Sequence, residues 1–238
     1  MADHRLIVAL DFHNMDKVKA LVTELGDSVI YYKVGMELFY SVGTEVIAYL
    51  REQKKEIFLD LKLHDIPNTT AQGLASLMKL GITMLNVHAT GGYTMMKTAV
   101  KNLEKQAYTL NTPRPKLIAV TILTSMNETD WQGLGQTMKI QEQVVRLAKL
   151  TKEAGLDGVV ASPREAALIR QACGDDFLIV TPGVRPVGAA VNDQSRIATP
   201  ASALENGASH LVVGRPITAA ADPKSAAQKI IAEMERIR

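Results

Sequence analysis

The sequence predicts a single (β/α)8 barrel that occupies residues 1–238 as one domain. Eight short apolar runs rich in Ile, Val and Leu recur at a mean spacing of about 30 residues, and each is short enough for one strand. Amphipathic stretches separate these runs, and strands that alternate with helices indicate a parallel sheet. Eight such units fit one closed barrel, with a doubly wound open sheet as the structural alternative.

The eight predicted strands can be read directly from the apolar runs. In chain order they are Leu6–Leu10, Val29–Val34, Ile57–Leu63, Ile82–Val87, Leu117–Leu123, Gly158–Ala161, Phe177–Val180 and Ser209–Val213. The first strand is followed by Asp11-Phe12-His13-Asn14, and no GxGxxG loop opens the chain. Because that loop marks the dinucleotide-binding open sheet, its absence favours the barrel.

Helix signals lie between the strands. Asp16–Leu25 and residues 144–150 carry apolar side chains at helical spacing, and Gly155 is the expected C-terminal cap of the second. Thr199-Pro200 and Asp222-Pro223 each combine a capping side chain with proline at the first helical position.

Composition excludes several classes of protein. A hydrophobic fraction of 47% with 22% charged residues excludes a disordered chain, and a net charge of +2 gives no electrostatic footprint for nucleic acid. The single cysteine, Cys173, forms no intrachain disulfide, and the five histidines lack metal-ligand spacing, so we expect no metal site. No signal-peptide pattern or membrane-length apolar run occurs, and we expect a cytoplasmic protein.

Charged residues concentrate where the first three predicted strands end, which is where such barrels carry their chemistry. Asp11 follows strand one and Lys33 lies in strand two. In strand three, alternation places Asp60 and Lys62 on one face, and Asp65 follows shortly after. An isolated Asp-x-Lys is more often a structural ion pair. Several charges converging on one mouth are costly to bury, which favours a functional site.

The last two strands end in residues suited to binding phosphate. Gly214 permits close backbone approach and Arg215 a bidentate grip, while Arg185 adds a second cation after strand seven. Residues 186–195 have the Gly/Ala-rich composition of a mobile cover. An ordinary turn and a plain surface loop remain the alternatives. A hydroxyl at Thr124, after strand five, is equally suited to touching a ligand or forming a turn.

Residues 59–67, Leu-Asp-Leu-Lys-Leu-His-Asp-Ile-Pro, resemble the active-site signature of the orotidine 5′-phosphate decarboxylases. The resemblance covers nearly the whole chain and is closest to the compact bacterial, single-function form. The other matching segments, in order, are Ala9–Asp11, Lys33–Glu37, Asn86–His88, Thr181–Arg185, Asn192–Gln194 and Val212–Pro216.

The resemblance implies decarboxylation of orotidine 5′-monophosphate to uridine 5′-monophosphate, the last step of pyrimidine nucleotide synthesis. It also implies a homodimer with sites at the subunit interface and no metal or organic cofactor. Lys33, Asp60, Lys62 and Asp65 would form the catalytic array, with Asp65 delivered by the partner and Lys62 protonating C6. The implied binding residues are Asp11 and Lys33 for the ribose, Thr69 across the interface, Thr124 and Pro182 at the base, and Arg185, Gln194, Gly214 and Arg215 at the phosphate.

Two other functions stay open on the sequence. The Asp-x-Lys-x-x-Asp arrangement also occurs in metal-dependent decarboxylases of keto-sugar phosphates. A barrel that binds nucleotides without turnover is the alternative from a different class, although binding alone does not require such costly charges.

Overall fold

The computed structural model describes residues 2–186 and 198–237, and its eight parallel strands close into one barrel in chain order. The strands are β1 (Leu6–Ala9), β2 (Tyr31–Gly35), β3 (Glu56–Leu63), β4 (Met84–His88), β5 (Lys116–Val120), β6 (Gly158–Val160), β7 (Leu178–Pro182) and β8 (His210–Val213). Each strand pairs with the next, and β8 pairs with β1. The predicted barrel and all eight predicted strands are confirmed, with bounds that differ by a few residues.

Helices connect the strands on the outside of the barrel. They are α1 (Met15–Leu25), α2 (Met36–Val42), α3 (Glu45–Glu52), α4 (Pro67–Met78), α5 (Gly92–Leu110), α6 (Glu128–Gly133), α7 (Ile140–Glu153), α8 (Ala166–Cys173), α9 (Pro200–Glu205), α10 (Arg215–Thr218) and α11 (Pro223–Met234). None of the helices in the described ranges has the length and apolar character needed to cross a membrane.

The predicted helix ends are confirmed. Thr199 caps α9 by accepting a hydrogen bond from the Ser202 backbone N–H, and Asp222 caps α11 in the same way. Gly155 follows the end of α7 with φ +89°, a left-handed conformation in which glycine carries no steric cost.

The core has two layers. A large outer layer packs the strands against the helices, and a smaller one fills the interior of the barrel. The buried interior side chains are Ile7, Ala9, Tyr31, Phe58, Met84, Ile118, Val180 and Val212. Because these side chains fill the lower barrel, polar groups further along the same strands are directed towards the mouth formed by the strands' C-terminal ends.

Strand β3 departs from the regular strand that alternation predicts. Its pairing with β4 runs from Leu59↔Leu85 directly to Leu63↔Val87, and Lys62 has φ +53°. Leu61 and Leu63 still pack on the outer core, so the predicted division of faces is confirmed. The backbone between them is an irregularity, which places the Lys62 side chain beside Asp60.

Candidate active site

A row of four alternating charges crosses the mouth of the barrel. Lys33 Nζ lies 3.1 Å from Asp11 Oδ1 and 3.6 Å from Asp60 Oδ2, and Lys62 Nζ lies 2.8 Å from Asp60 Oδ1. The exposed fractions of the side chains are 61% for Asp11, 12% for Lys33, 12% for Asp60 and 24% for Lys62. We call this set the charged row. Alternation of sign lowers the cost of placing the three mostly buried charges of Lys33, Asp60 and Lys62 together.

The strand register explains why the charged row forms. Ala9 pairs with Lys33 between β1 and β2, and Gly35 pairs with Asp60 between β2 and β3. The C-terminal ends of the first three strands therefore lie side by side. A Cβ at Gly35 would lie 3.0 Å from Lys33 Nζ, so the absence of a side chain there leaves room for the ammonium group.

Asn86 joins β4 to this row, although its chemistry was not predicted from the sequence. Its Nδ2 donates a hydrogen bond to Asp60 Oδ1 at 2.6 Å, and its Oδ1 accepts one from the Lys62 backbone N–H at 2.8 Å. Asn86 is fully buried. The available signal was an amide at an inward-facing position of an apolar strand, since Met84, two residues earlier, points into the barrel.

A cavity of about 190 Å³ adjoins the charged row. Lys33, Asp60 and Lys62 line one side of it, and Thr124 and Pro182 also line it. The remaining lining is apolar and comprises Phe58, Val120, Ile122, Leu123, Val160 and Val212. One wall thus presents charge and the other excludes water, an arrangement that strengthens electrostatic interactions with a bound ligand.

Two arginines lie at the ends of the last strands. Arg185 is buried, its Nη1 donates to the Val184 carbonyl, and its Nε has no hydrogen-bond partner among the described residues. Burial and the charge of Arg215 both lower the pKa of Arg185. Arg215 is exposed at the start of α10. Neighbouring cations, one of them buried with a free donor, suit an anion such as phosphate.

Gly214 brings this end close to the charged row. A Cβ at Gly214 would lie 3.5 Å from Asp11 Oδ2, so the backbone before Arg215 passes directly beside the Asp11 carboxylate. Gln194 and most of the predicted cover, residues 186–195, lie outside the described residues, and their assigned roles stay predictions.

Asp65 and Thr69 do not join the charged row of their own chain. Both are exposed at the rim, and the Asp65 carboxylate accepts a hydrogen bond from the Ile66 backbone N–H. Among the described residues, Lys62 forms an ion pair with Asp60 and not with Asp65. Asp65 therefore stands apart from the ion pairs of the charged row.

His88, at the end of β4, stands near the row beside His64, with their ring centroids 5.4 Å apart. Burial, and to a lesser degree the charges of His64 and Lys62, lower the pKa of His88. No group of three or more His, Cys, Asp or Glu side chains able to hold a metal ion occurs within residues 2–186 and 198–237.

Comparisons with known proteins identify the family of this chain. Residues 4–230 match the model of the family described as Orotidine 5'-phosphate decarboxylase / HUMPS family. The orotidine 5'-phosphate decarboxylase of Moorella thermoacetica is 48% identical over 238 residues, covering 100% of this chain and 94% of the relative. That of Geotalea daltonii is 49% identical over 230 residues, covering 97% of this chain and 95% of the relative.

Solved structures give the same result. The crystal structure of orotidine 5'-phosphate decarboxylase from Lactobacillus acidophilus aligns with a TM-score of 0.85 and 46% identity, covering 98% of this chain and 99% of the other. An uncharacterized conserved protein from Geobacillus kaustophilus aligns with a TM-score of 0.85 and 40% identity, covering 96% and 99%. The chain belongs to the orotidine 5'-phosphate decarboxylase / HUMPS family.

Proposed function

We propose that this protein decarboxylates orotidine 5′-monophosphate to uridine 5′-monophosphate and CO2, the last step of pyrimidine nucleotide synthesis. The observation that carries the proposal is the charged row, which ends in an ammonium group against a cavity with an apolar wall. Relatives at 48% and 49% identity over nearly their full length are orotidine 5'-phosphate decarboxylases, which supports the same substrate here.

The reaction needs a proton donor more than it needs a base. When the bond between C6 and the carboxylate breaks, CO2 leaves and the electron pair stays on C6, where the ring offers no electron sink. A proton from Lys62 Nζ then forms the C6–H bond, and solvent returns a proton to the amine. The Asp60 carboxylate accepts a hydrogen bond from Lys62 Nζ at 2.8 Å and holds this donor beside the cavity.

Repulsion of the substrate is a smaller effect than stabilisation of the transition state. Two unit charges about 4 Å apart at an effective dielectric of about 20 interact by about 4 kcal/mol, which corresponds to roughly a thousandfold in rate. Enzymes generally supply about 8–23 kcal/mol, so repulsion between Asp60 and the substrate carboxylate does not explain catalysis by itself. Most of the effect comes from Lys62, which stabilises the negative charge that develops at C6.

The far end of the substrate binds at the phosphate site. Arg185, Gly214 and Arg215 hold the phosphate, with Gln194 as an additional contact, while Asp11 and Lys33 bind ribose hydroxyls. Thr124 and Pro182 contact the base. Because Gly214 lies beside Asp11, phosphate binding orients the ribose against the charged row. Binding energy from the phosphate then raises the rate at a carbon that the arginines do not touch.

The active unit in this proposal is a homodimer in which Asp65 and Thr69 complete the partner's site. Both residues are exposed, and neither belongs to the charged row of its own chain. Large apolar side chains are exposed at the same end of β2, β3 and β4, namely Met36, Tyr40, Ile66 and Tyr93. An apolar rim of this kind suits burial against a second copy. A cytoplasmic location and the absence of nucleic-acid and membrane partners stay predictions.

The deciding experiment is turnover of orotidine 5′-monophosphate by the purified protein in excess EDTA, with Lys62→Ala beside it. We expect rapid formation of uridine 5′-monophosphate by the wild type and its loss in the variant. Lys116→Ala is the control, because it removes a lysine at the opposite end of the barrel, where β5 begins.

Two outcomes would overturn the proposal. Activity on a keto-sugar phosphate only after addition of magnesium would assign the chain to the metal-dependent decarboxylases. Nucleotide binding without turnover, with or without the chelator, would leave a binding protein.

A further inference from the structure

We propose that Asn86 is a positioning residue that holds Asp60 and Lys62 in their reactive arrangement. The inference rests on the proposed function, since it assigns Lys62 as the proton donor. Asn86 makes no part of the cavity lining and acts through the two residues that do. Its two hydrogen bonds, at 2.6 Å to Asp60 and 2.8 Å from Lys62, are the observations from which the proposal starts.

The orientation of the Asn86 amide is fixed by the chemistry of its neighbours. The Lys62 backbone N–H can only donate, so it must face the amide oxygen. The Asp60 carboxylate faces the other side, and only the NH2 group can donate to it. Exchanging the two ends would place two donors together and two acceptors together in a fully buried site, which is strongly unfavourable.

The irregularity of β3 creates the need for this side chain. Between the paired positions Leu59↔Leu85 and Leu63↔Val87, three residues of β3 lie opposite Asn86 alone. Lys62, within that stretch, has φ +53°, a conformation that costs about 1–3 kcal/mol outside glycine. The side-chain carbonyl oxygen of Asn86 takes the place of a backbone acceptor for the Lys62 N–H and thereby stabilises this strained residue.

The second hydrogen bond controls the Asp60 carboxylate. Oδ1 of Asp60 accepts from both Asn86 and the Lys62 ammonium, while Oδ2 faces Lys33 at 3.6 Å. A neutral donor on Oδ1 fixes the rotation of the carboxylate without adding charge to the row. Without it, the carboxylate can rotate and the ammonium group loses its fixed direction. An error of about 1 Å in such a group can cost about 100-fold in rate.

Two substitutions at Asn86 separate positioning from simple packing. Asn86→Ala removes both hydrogen bonds. Asn86→Asp keeps the size and the acceptor for Lys62 but places a second carboxylate against Asp60, and only its protonated form can donate as the amide does. Asn102→Ala is the matched control, because it removes an amide that donates at 2.7 Å to the Ala71 carbonyl, between α4 and α5.

The assay is steady-state turnover of orotidine 5′-monophosphate across pH, with the wild type alongside. We expect kcat to fall about 100-fold in Asn86→Ala, with KM within about threefold of the wild type, since the phosphate contacts remain. Asn86→Asp should be as impaired at pH 8 and should regain activity relative to the wild type as the pH falls. Asn102→Ala should keep the wild-type kcat.

A second readout does not depend on turnover. The ammonium of Lys62, held by Asp60, should give a slowly exchanging proton signal correlated with ¹⁵Nζ in the free wild-type protein and in Asn102→Ala, and the signal should disappear in Asn86→Ala. An unchanged signal and unchanged kcat in folded Asn86→Ala, or no acid recovery in Asn86→Asp, would overturn the role of Asn86. A wild type that shows this signal but no turnover would overturn the proposed function instead.

Discussion

Lys33 stands between two carboxylates that contribute in different ways. Asp11 is largely exposed, and an exposed ion pair typically contributes about 0–1 kcal/mol, so its main effect is to direct the Lys33 side chain. Asp60 is mostly buried and contacts both lysines. Removing one lysine would leave the mostly buried Asp60 carboxylate with a single ammonium partner, so we expect each lysine to affect the position of the other.

At the proposed phosphate site, Arg215→Ala should lower kcat/KM about 10- to 100-fold, because a charge-assisted contact with the phosphate would be lost at a distance from C6. Steady-state kinetics on orotidine 5′-monophosphate measure this effect. Arg164→Ala, an exposed arginine before α8, serves as the control. An Arg215→Ala enzyme with unchanged kcat/KM would remove this residue from the phosphate site.

We predict that His210, at the start of β8, makes the folded protein less stable in acid. Burial lowers the pKa of His210 from 6.5 to about 4. The charge of Asp3 partly opposes this lowering, and the charge of His4 adds to it. Above pH 6.5 the imidazole is neutral in both folded and unfolded chains. Below it the unfolded chain binds a proton first, so the free energy of unfolding falls by up to about 3 kcal/mol by pH 4.

Urea unfolding at pH 7.5 and pH 4.5 measures the contribution of His210, when the loss of unfolding free energy in the wild type is compared with that in a variant. The wild type should lose more stability over that interval than His210→Gln, which cannot titrate. Equal losses in the two proteins would show that His210 is not buried as a neutral group.

At the level of elements, strand positions are predictable because an apolar run of four to eight residues has few other uses in an α/β chain. The charged residues at the strand ends were predictable from the positions of these runs, because they lie in or just after the runs. The bulge in β3 was not, because the left-handed Lys62 depends on Asn86, a contact between residues distant in sequence. Alternation assumes a regular strand and contains no information about such a partner.

Strands β6 and β7 provide a test of close backbone packing. A Cβ at Gly158 would meet the carbonyl oxygen and Cβ of Leu178, which belongs to the neighbouring strand and cannot move freely. Gly158→Ala should therefore lower Tm by about 5 °C or more, measured by calorimetry. Gly133→Ala is the control, because a Cβ there would meet nothing within 4 Å. Equal Tm values for the two variants would contradict the tight packing.

For the molecule as a whole, the barrel places three members of the predicted catalytic array together and leaves the fourth, Asp65, at the rim. The strand pattern alone could not give this division, because residues 60, 62 and 65 are near neighbours in the chain; only the family resemblance implied it. Their separation comes from the end of β3 at Leu63, after which the chain leaves the mouth.

A shared site predicts complementation between two inactive variants. Lys62→Ala and Asp65→Ala should each be nearly inactive alone. When equal amounts are mixed and allowed to exchange subunits, half of the dimers are mixed and each has one intact site. About one quarter of wild-type activity should return. Mixing Lys62→Ala with Asp60→Ala is the control. Both residues belong to the charged row of one chain, so each site of a mixed dimer carries one lesion and no activity should return. Activity that stays absent in the Asp65→Ala mixture would show that Asp65 serves its own chain.

The left-handed backbone of Lys62 in β3 also limits how this site could be transferred to another protein. Copying Leu59–Pro67 onto the third strand of another barrel would transfer the acid and the amine but not the backbone that brings them together. A host strand with regular pairing would separate the two side chains by one full pleat. Strand β4 would have to be copied together with β3. The smallest segment that can be transferred is therefore this pair of adjacent strands in their native register.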